Sequence, residues 1–184
     1  MSNGTGLLKV QFNASSGLSI RSFLFNINMQ EEIGRLSESF LKRGWLGPNM
    51  GIGINTGMMN VGNMGSKYRI TYTVVGDAVN LAARLEALTR SYRVPTIVSE
   101  TTMKESSGIL FRTLDVVQVK GKHNKTKIFE PICKEANADR ALRSKLNEHQ
   151  QAMDLYFSED WNQAQASFKL LEQKHVEDLY YPAI

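Results

Sequence analysis

The sequence predicts an α+β chain: a mixed, largely antiparallel sheet with helices on one side, followed by an all-α helical hairpin. Three observations carry that expectation. Apolar, β-branched or aromatic runs of strand length recur at residues 50–55, 68–75, 94–99, 111–119 and 126–133. Amphipathic helical spacing precedes them at residues 29–40 and interrupts them at residues 78–90. Beyond Cys133 the composition shifts to Ala, Gln, Leu and Lys in two helical stretches.

Taken in order, residues 1–28 are polar and rich in Ser, Asn and Gly. Two apolar stretches, residues 7–12 and 18–25, flank the turn-forming run Asn13-Ala14-Ser15-Ser16-Gly17, so a β-hairpin is expected there. Met29, Ile33, Leu36 and Phe40 recur at helical spacing, and Gly44 with Gly47-Pro48 ends that helix. Residues 50–55 read as a short buried strand, residues 61–65 as extended, and Tyr68 to Val75 as a strand. Gly76-Asp77 breaks it, with Asp77 the expected N-cap of a helix over residues 78–90. Val79, Ala82, Leu85 and Leu88 form the core stripe of that helix, and Asn80 and Arg84, four apart, share its opposite face. A strand over 94–99, a short helix over 100–106 and a hairpin with a basic tip (Lys120, Lys122, Lys125) follow. Residues 138–157 and 161–174 make an antiparallel pair across Ser158-Glu159-Asp160, with Ala152, Leu155, Tyr156, Trp161, Ala164, Phe168 and Leu171 between them. The composition divides the chain into residues 1–28, 29–134 and 135–184.

Composition narrows the chemistry. With 42% hydrophobic and 22% charged residues over 184 positions, the chain is neither wholly disordered nor fibrous. The formal charge of +4 favours anionic ligands weakly. Cys133 is the single cysteine, which excludes an intrachain disulfide and a cysteine-based metal cluster. No run approaches the ~18 apolar residues of a membrane span, so a cytoplasmic protein is expected. His123, His149 and His175 have neither metal-ligand spacing nor a neighbouring nucleophile. No aspartate precedes Asp77, and Glu31, Glu32 and Glu38 are the only acids before it. Chemistry that needs paired carboxylates on early strands has no candidates here. Arg84 offers a fork of donors suited to phosphate, and Asn80 both donates and accepts. A solvated polar helix face would look the same from these residues alone.

A longer pattern sharpens the choice. Gly51-Ile52-Gly53-Ile54-Asn55-Thr56-Gly57, Val61-Gly62-Asn63-Met64-Gly65-Ser66 and Tyr72-Thr73-Val74-Val75-Gly76-Asp77-Ala78-Val79-Asn80-Leu81-Ala82-Ala83-Arg84-Leu85-Glu86 follow one another. Val119-Lys120-Gly121-Lys122 and Ile128-Phe129-Glu130-Pro131 continue in order. This series closely resembles the catalytic domain of the class III nucleotidyl cyclases over residues 29–134. It looks most like bacterial adenylyl cyclases with a TPR-like helical tail. The resemblance implies a ferredoxin-like, palm-type sheet and a phosphorus–oxygen lyase that converts ATP to 3′,5′-cyclic AMP and pyrophosphate in intracellular signalling. It also implies a role for each matching residue. Asn80 orients the ribose, and Arg84 stabilises charge at the α-phosphate. Thr73 sits where the purine is read, threonine there resembling adenylyl cyclases, and Lys120 reaches the departing phosphates.

The same resemblance implies a deficit. The family places two metal-binding aspartates and a purine-contacting lysine ahead of residue 29, and residues 1–28 match none of them. Two-metal chemistry with Mg²⁺ or Mn²⁺ needs those carboxylates, and Asp77 matches a helix-capping position instead. The expectation is a truncated cyclase, inactive alone, with no metal site of its own. In the family the active site lies between two subunits, so the chain could instead serve as a regulatory or complementing half in a homodimer or a heterodimer with a complete cyclase. A non-catalytic module whose helical tail recruits a protein is the third expectation. Single-stranded RNA binding lacks the aromatic platform it would need, so no nucleic-acid partner is expected.

Overall fold

The computed structural model describes residues 18–48, 50–66, 69–118 and 125–183. Helix α1 (Leu18–Lys42) leads to strand β1 (Ile52–Ile54) and the hairpin β2 (Asn60–Ser66) and β3 (Arg69–Val75). Helix α2 (Asp77–Tyr92), strand β4 (Thr96–Ser99), helix α3 (Glu100–Glu105) and the pair β5 (Ile109–Gln118) and β6 (Lys125–Lys134) follow. Helices α4 (Arg140–Phe157) and α5 (Trp161–Lys174) close the chain, with a last 3₁₀ turn at Tyr181–Ala183. Strands β1, β4, β6 and β5 make one sheet in that order, parallel between β1 and β4 and antiparallel elsewhere, while β2 and β3 pair only with each other. The α+β architecture expected from the sequence is what forms.

The hairpin expected near the N-terminus does not. Its second arm, residues 18–25, lies inside α1, and its first arm falls outside the described residues. Phe25 extends the Met29, Ile33, Leu36, Phe40 series back by one turn, and no Gly or Pro interrupts residues 18–33. A helix that is already nucleated gains one hydrogen bond for each residue it adds, so it propagates through such a run. The other end stops where expected. Gly44 has φ +73°, Trp45 N–H donates to Phe40 O (3.0 Å) and Gly44 N–H to Leu41 O (2.9 Å). This is a Schellman stop, and the Phe40–Trp45 ring contact (centroids 5.5 Å) supplies its apolar clasp.

Two glycines decide how α2 meets the sheet. A Cβ on Gly53 would lie 2.2 Å from Ala82 O and 2.3 Å from Glu86 N, and one on Gly51 would lie 2.1 Å from Thr89 Oγ1. The helix backbone therefore rests directly on β1. Met29 and Ile33 of α1 cover the other side of the cluster Met50, Ile52, Ile54, Val98 and Phe129. The Gln30 amide donates to Met50 O and Pro95 O, both at 3.3 Å.

The C-terminal helices share the main core. Leu85, Val94, Ile97, Leu114 and Ile128 pack in one buried cluster with Ala152, Leu171, Tyr180 and Tyr181. A register shift in β5 between Thr113 and Asp115 makes the seam. Such a bulge leaves backbone groups outside the strand ladder. The tail takes them: His149 Nε2–H donates to Thr113 O (2.6 Å) and Tyr180 Oη–H to Leu114 O (2.9 Å). Pro131 in β6 sits beside a second shift, where β6 has no ladder donor to lose.

A buried ion cluster locks the same seam. Arg112 on β5, 4% exposed, donates through Nε to Glu130 on β6 (2.8 Å) and through Nη1 to Asp178 (2.6 Å). Its guanidinium lies 4.5 Å from the Tyr180 ring centroid, and Lys145 on α4 reaches Asp178 at 2.8 Å. Burial opposes ionisation of Asp178, but the hydrogen bonds from Arg112 and Lys145 outweigh it and bring the carboxyl down to about 2.

Candidate functional site

Helix α2 presents the residues singled out by motif. Its buried side consists of Ala78, Ala82, Leu85, Glu86 and Thr89, with Val79 and Leu88 half-buried, while Asn80 and Arg84 are exposed one turn apart on the same face. The stripe read from the sequence is therefore rotated slightly toward Glu86 and Thr89, because the glycines of β1 admit the helix backbone itself at that point. Asp77 is the first helical residue, and the N-cap is Gly76. Gly76 O accepts Val79 N–H (3.1 Å) and Asn80 N–H (3.2 Å), and a Cβ there would meet Met58 O at 3.3 Å. The cap is a backbone position wedged against residues 58–59, which leaves Asp77 in the first turn, where the helix dipole favours a carboxylate.

Sequence reasoning missed the residue that holds this turn in place. Asn55, 3% exposed at the end of β1, donates from Nδ2 to Ala78 O (3.0 Å). Thr56 beside it exchanges a hydrogen bond with Thr102 (3.2 Å), and Ser99 caps α3 through Thr102 N–H (3.3 Å). The signal was present in the run Gly51–Gly57, but a buried asparagine gives no sign in sequence of which distant carbonyl it will meet.

Thr73 sits on β3 opposite Gly62, half-buried, on the strand that runs into Gly76 and α2. The structure thus strings Thr73, Asn80 and Arg84 along one strand–turn–helix unit. Lys120 lies outside the described residues. The hairpin that carries Thr73 is apolar on its exterior: Ile70 is 68% and Tyr72 71% exposed, with Val61 and Val75 also exposed and Met58 beside them. Among the described residues no group of three His, Cys, Asp or Glu side chains is placed to hold a metal ion. No described helix is long and apolar enough to cross a membrane.

With fold and site in view, comparison with known proteins is decisive on class. Residues 11–130 match the adenylate and guanylate cyclase catalytic domain, and the chain belongs to that family. The matched stretch begins ahead of the first motif residue and takes in the whole of α1. Among curated relatives, the terminal-differentiation-specific adenylate cyclase of Dictyostelium discoideum is 38% identical over 126 residues, 65% of this chain and 6% of that protein. The adenylate cyclase of Anabaena cylindrica is 38% identical over 86 residues, 45% of this chain and 17% of that protein. The chain therefore spans a small fraction of the length of these relatives. Among solved structures, the guanylyl cyclase Cya2 superposes with a TM-score of 0.56 at 29% identity, covering 68% of this chain and 64% of that one. The adenylyl cyclase CyaB from P. aeruginosa gives 0.56 at 27% identity, covering 66% and 60%.

Proposed function

We propose that this chain carries the sugar- and phosphate-gripping side of an adenylyl cyclase active site and makes no cyclic AMP by itself. The observation that carries the reading is the pairing of an exposed Asn80–Arg84 face on α2 with a sequence that has no aspartate ahead of Asp77. In that reaction the ribose 3′ oxygen bonds to the α-phosphorus of ATP as the bond to pyrophosphate breaks. Asn80 would orient the ribose through its amide. Arg84 would set fixed donors against the α-phosphate oxygens as charge gathers there. Thr73 would contact the purine and favour adenine, and Lys120 would meet the leaving phosphates. Metal chemistry would come from carboxylates other than those on this strand–turn–helix unit.

The test is direct. Purified chain incubated with ATP and Mn²⁺ or Mg²⁺ is expected to form no cyclic AMP above a protein-free control. Sustained formation would overturn the reading.

A second reading is favoured by the outer face of β2–β3. Contiguous exposed apolar surface on a small unit marks a contact surface, and the hairpin runs directly into Asn80 and Arg84. In this reading the chain pairs through that hairpin with a second copy or with a complete cyclase and supplies Asn80, Arg84 and Thr73 to a shared site. Adding the chain to a complete cyclase should then change its turnover, and Arg84→Ala should cancel the change. No change on addition removes this reading and leaves the first intact.

A further inference from the structure

A cavity of about 680 Å³ lies between the C-terminal end of α2, the bulge of β5 and the tail helices, and it contains none of Thr73, Asn80 or Arg84. Its volume falls within the roughly 300–1,000 Å³ of small-molecule sites, which favour interfaces between packed units. We infer that this cavity binds a planar aromatic cation, gripped by tyrosine and tryptophan faces and by the Asp115 carboxylate.

The walls make the case for an aromatic guest. Tyr92 and Tyr180 stack at 6.4 Å with planes 19° apart, and Tyr156 meets Trp161 edge to face at 5.4 Å. Trp161 is 56% exposed and stands in the cavity wall with one face open. Such rings present electron-rich faces that attract cations.

The charges make the case for a cation. Asp115 and Glu172 line the cavity against the single ammonium of Lys169. Asp115 is half-buried and accepts from Tyr92 Oη–H (2.6 Å) and Val116 N–H (2.6 Å). Among the described residues no lysine or arginine forms an ion pair with it. The charge of Asp115 raises the Tyr156 phenol above its ordinary range, and burial with help from Asp115 does the same to Tyr92. Both phenols therefore remain donors, and the local field is negative. An anionic guest would meet two carboxylates, whereas a cation would neutralise Asp115, which has no basic partner among the described residues.

The site is independent of cyclase activity, so the test uses binding alone on the full chain. The probe is 9-aminoacridine, a planar aromatic cation, followed by equilibrium dialysis and by quenching of tryptophan fluorescence; the anion 1-anilinonaphthalene-8-sulfonate serves as comparison. Saturable binding of one 9-aminoacridine per chain is expected. Trp161→Phe should remove the quenched fraction while the Trp45 emission remains. Asp115→Asn keeps an oxygen for Tyr92 and should weaken binding about tenfold, the loss of one charge-assisted contact. Ser91→Trp, at an exposed position of α2 in the wall, should fill the cavity and abolish binding. Should Asp115→Asn fold poorly, Glu172→Gln on the exposed side of α5 should weaken binding by a smaller factor. The inference is overturned by absence of saturable binding, by tighter binding of the anion than of the cation, or by affinity that Ser91→Trp leaves unchanged.

Discussion

The two sheets of this protein solve the same problem in opposite ways. The four-stranded sheet buries its residues against α2, α1 and the tail: Ile52, Ile97, Val98, Leu114 and Ile128 are all at most 2% exposed. The hairpin β2–β3 has comparable β-branched and aromatic content, yet Ile70 and Tyr72 stand more than two-thirds exposed. A two-stranded ribbon is marginal in water without a surface to lie on. The difference shows that strand-forming residues set the backbone, while the availability of a covering layer sets whether their apolar faces stabilise this chain or await another surface.

Four experiments sharpen that contrast, the largest effect first. Arg112→Ala strips Glu130 of its buried counter-charge at the seam between sheet and tail and leaves Asp178 with Lys145 alone. Breaking a buried pair from one side costs about 3–5 kcal/mol, so urea unfolding should show a loss of that order. An unchanged midpoint would mean that the tail does not brace the sheet.

Acid should act next, and its sign follows from His149. Burial pulls the imidazole down to about 4, against the opposing effect of the Thr113 carbonyl. Between its ordinary value near 6.5 and about 4, the unfolded chain holds a proton that the folded one refuses. Stability is then fully present above pH 6.5 and falls as pH drops toward 4, by up to about 3 kcal/mol. Asp178, held at about 2, adds a separate loss only below its ordinary value near 3.8. His149→Gln should flatten the first window and leave the second; thermal melts from pH 7 down to about 2 would read both.

Glycine placement gives a paired comparison. Gly53→Ala forces a methyl into the α2 backbone, and overpacking of this kind costs about 1–3 kcal/mol. Gly62→Ala on the hairpin meets nothing within 4 Å and should shift stability by less than about 0.5 kcal/mol. Equal effects would contradict the close approach of α2 to β1.

The smallest stability effect belongs to the hairpin face itself. Tyr72→Ser should change the unfolding free energy by no more than about 0.5 kcal/mol. If a second copy covers this face, the same change should lower the weight-average mass in sedimentation at high concentration. A mass that stays constant would leave the hairpin without a homotypic role.

Much of the fold was legible because its signals are local. The period of residues 29–40, the Gly44 stop, the strands either side of Asn55 and the helix bearing Asn80 and Arg84 all follow from spacing over a few residues. Where local signals competed, the reading failed. Residues 18–25 carry both strand-like composition and helical continuity, and the continuity prevailed. Asp77 had the right chemistry for a cap, but the close approach of residues 58–59 gave that position to Gly76.

The candidate site divides along the same line. Four residues of helix bring Asn80 and Arg84 to one face wherever the helix is placed, because the turn is a property of the backbone. Sequence alone was sufficient for that pairing and for the scarcity of early acids. Nothing local shows that Asn55 steadies the first turn of α2, that Arg112 gathers partners 18 and 66 residues away, or that Tyr180 and His149 take the carbonyls freed by a bulge in β5. Those contacts exist only after distant segments have been brought together, since burial and partner choice are set by the packed chain and by no short stretch within it.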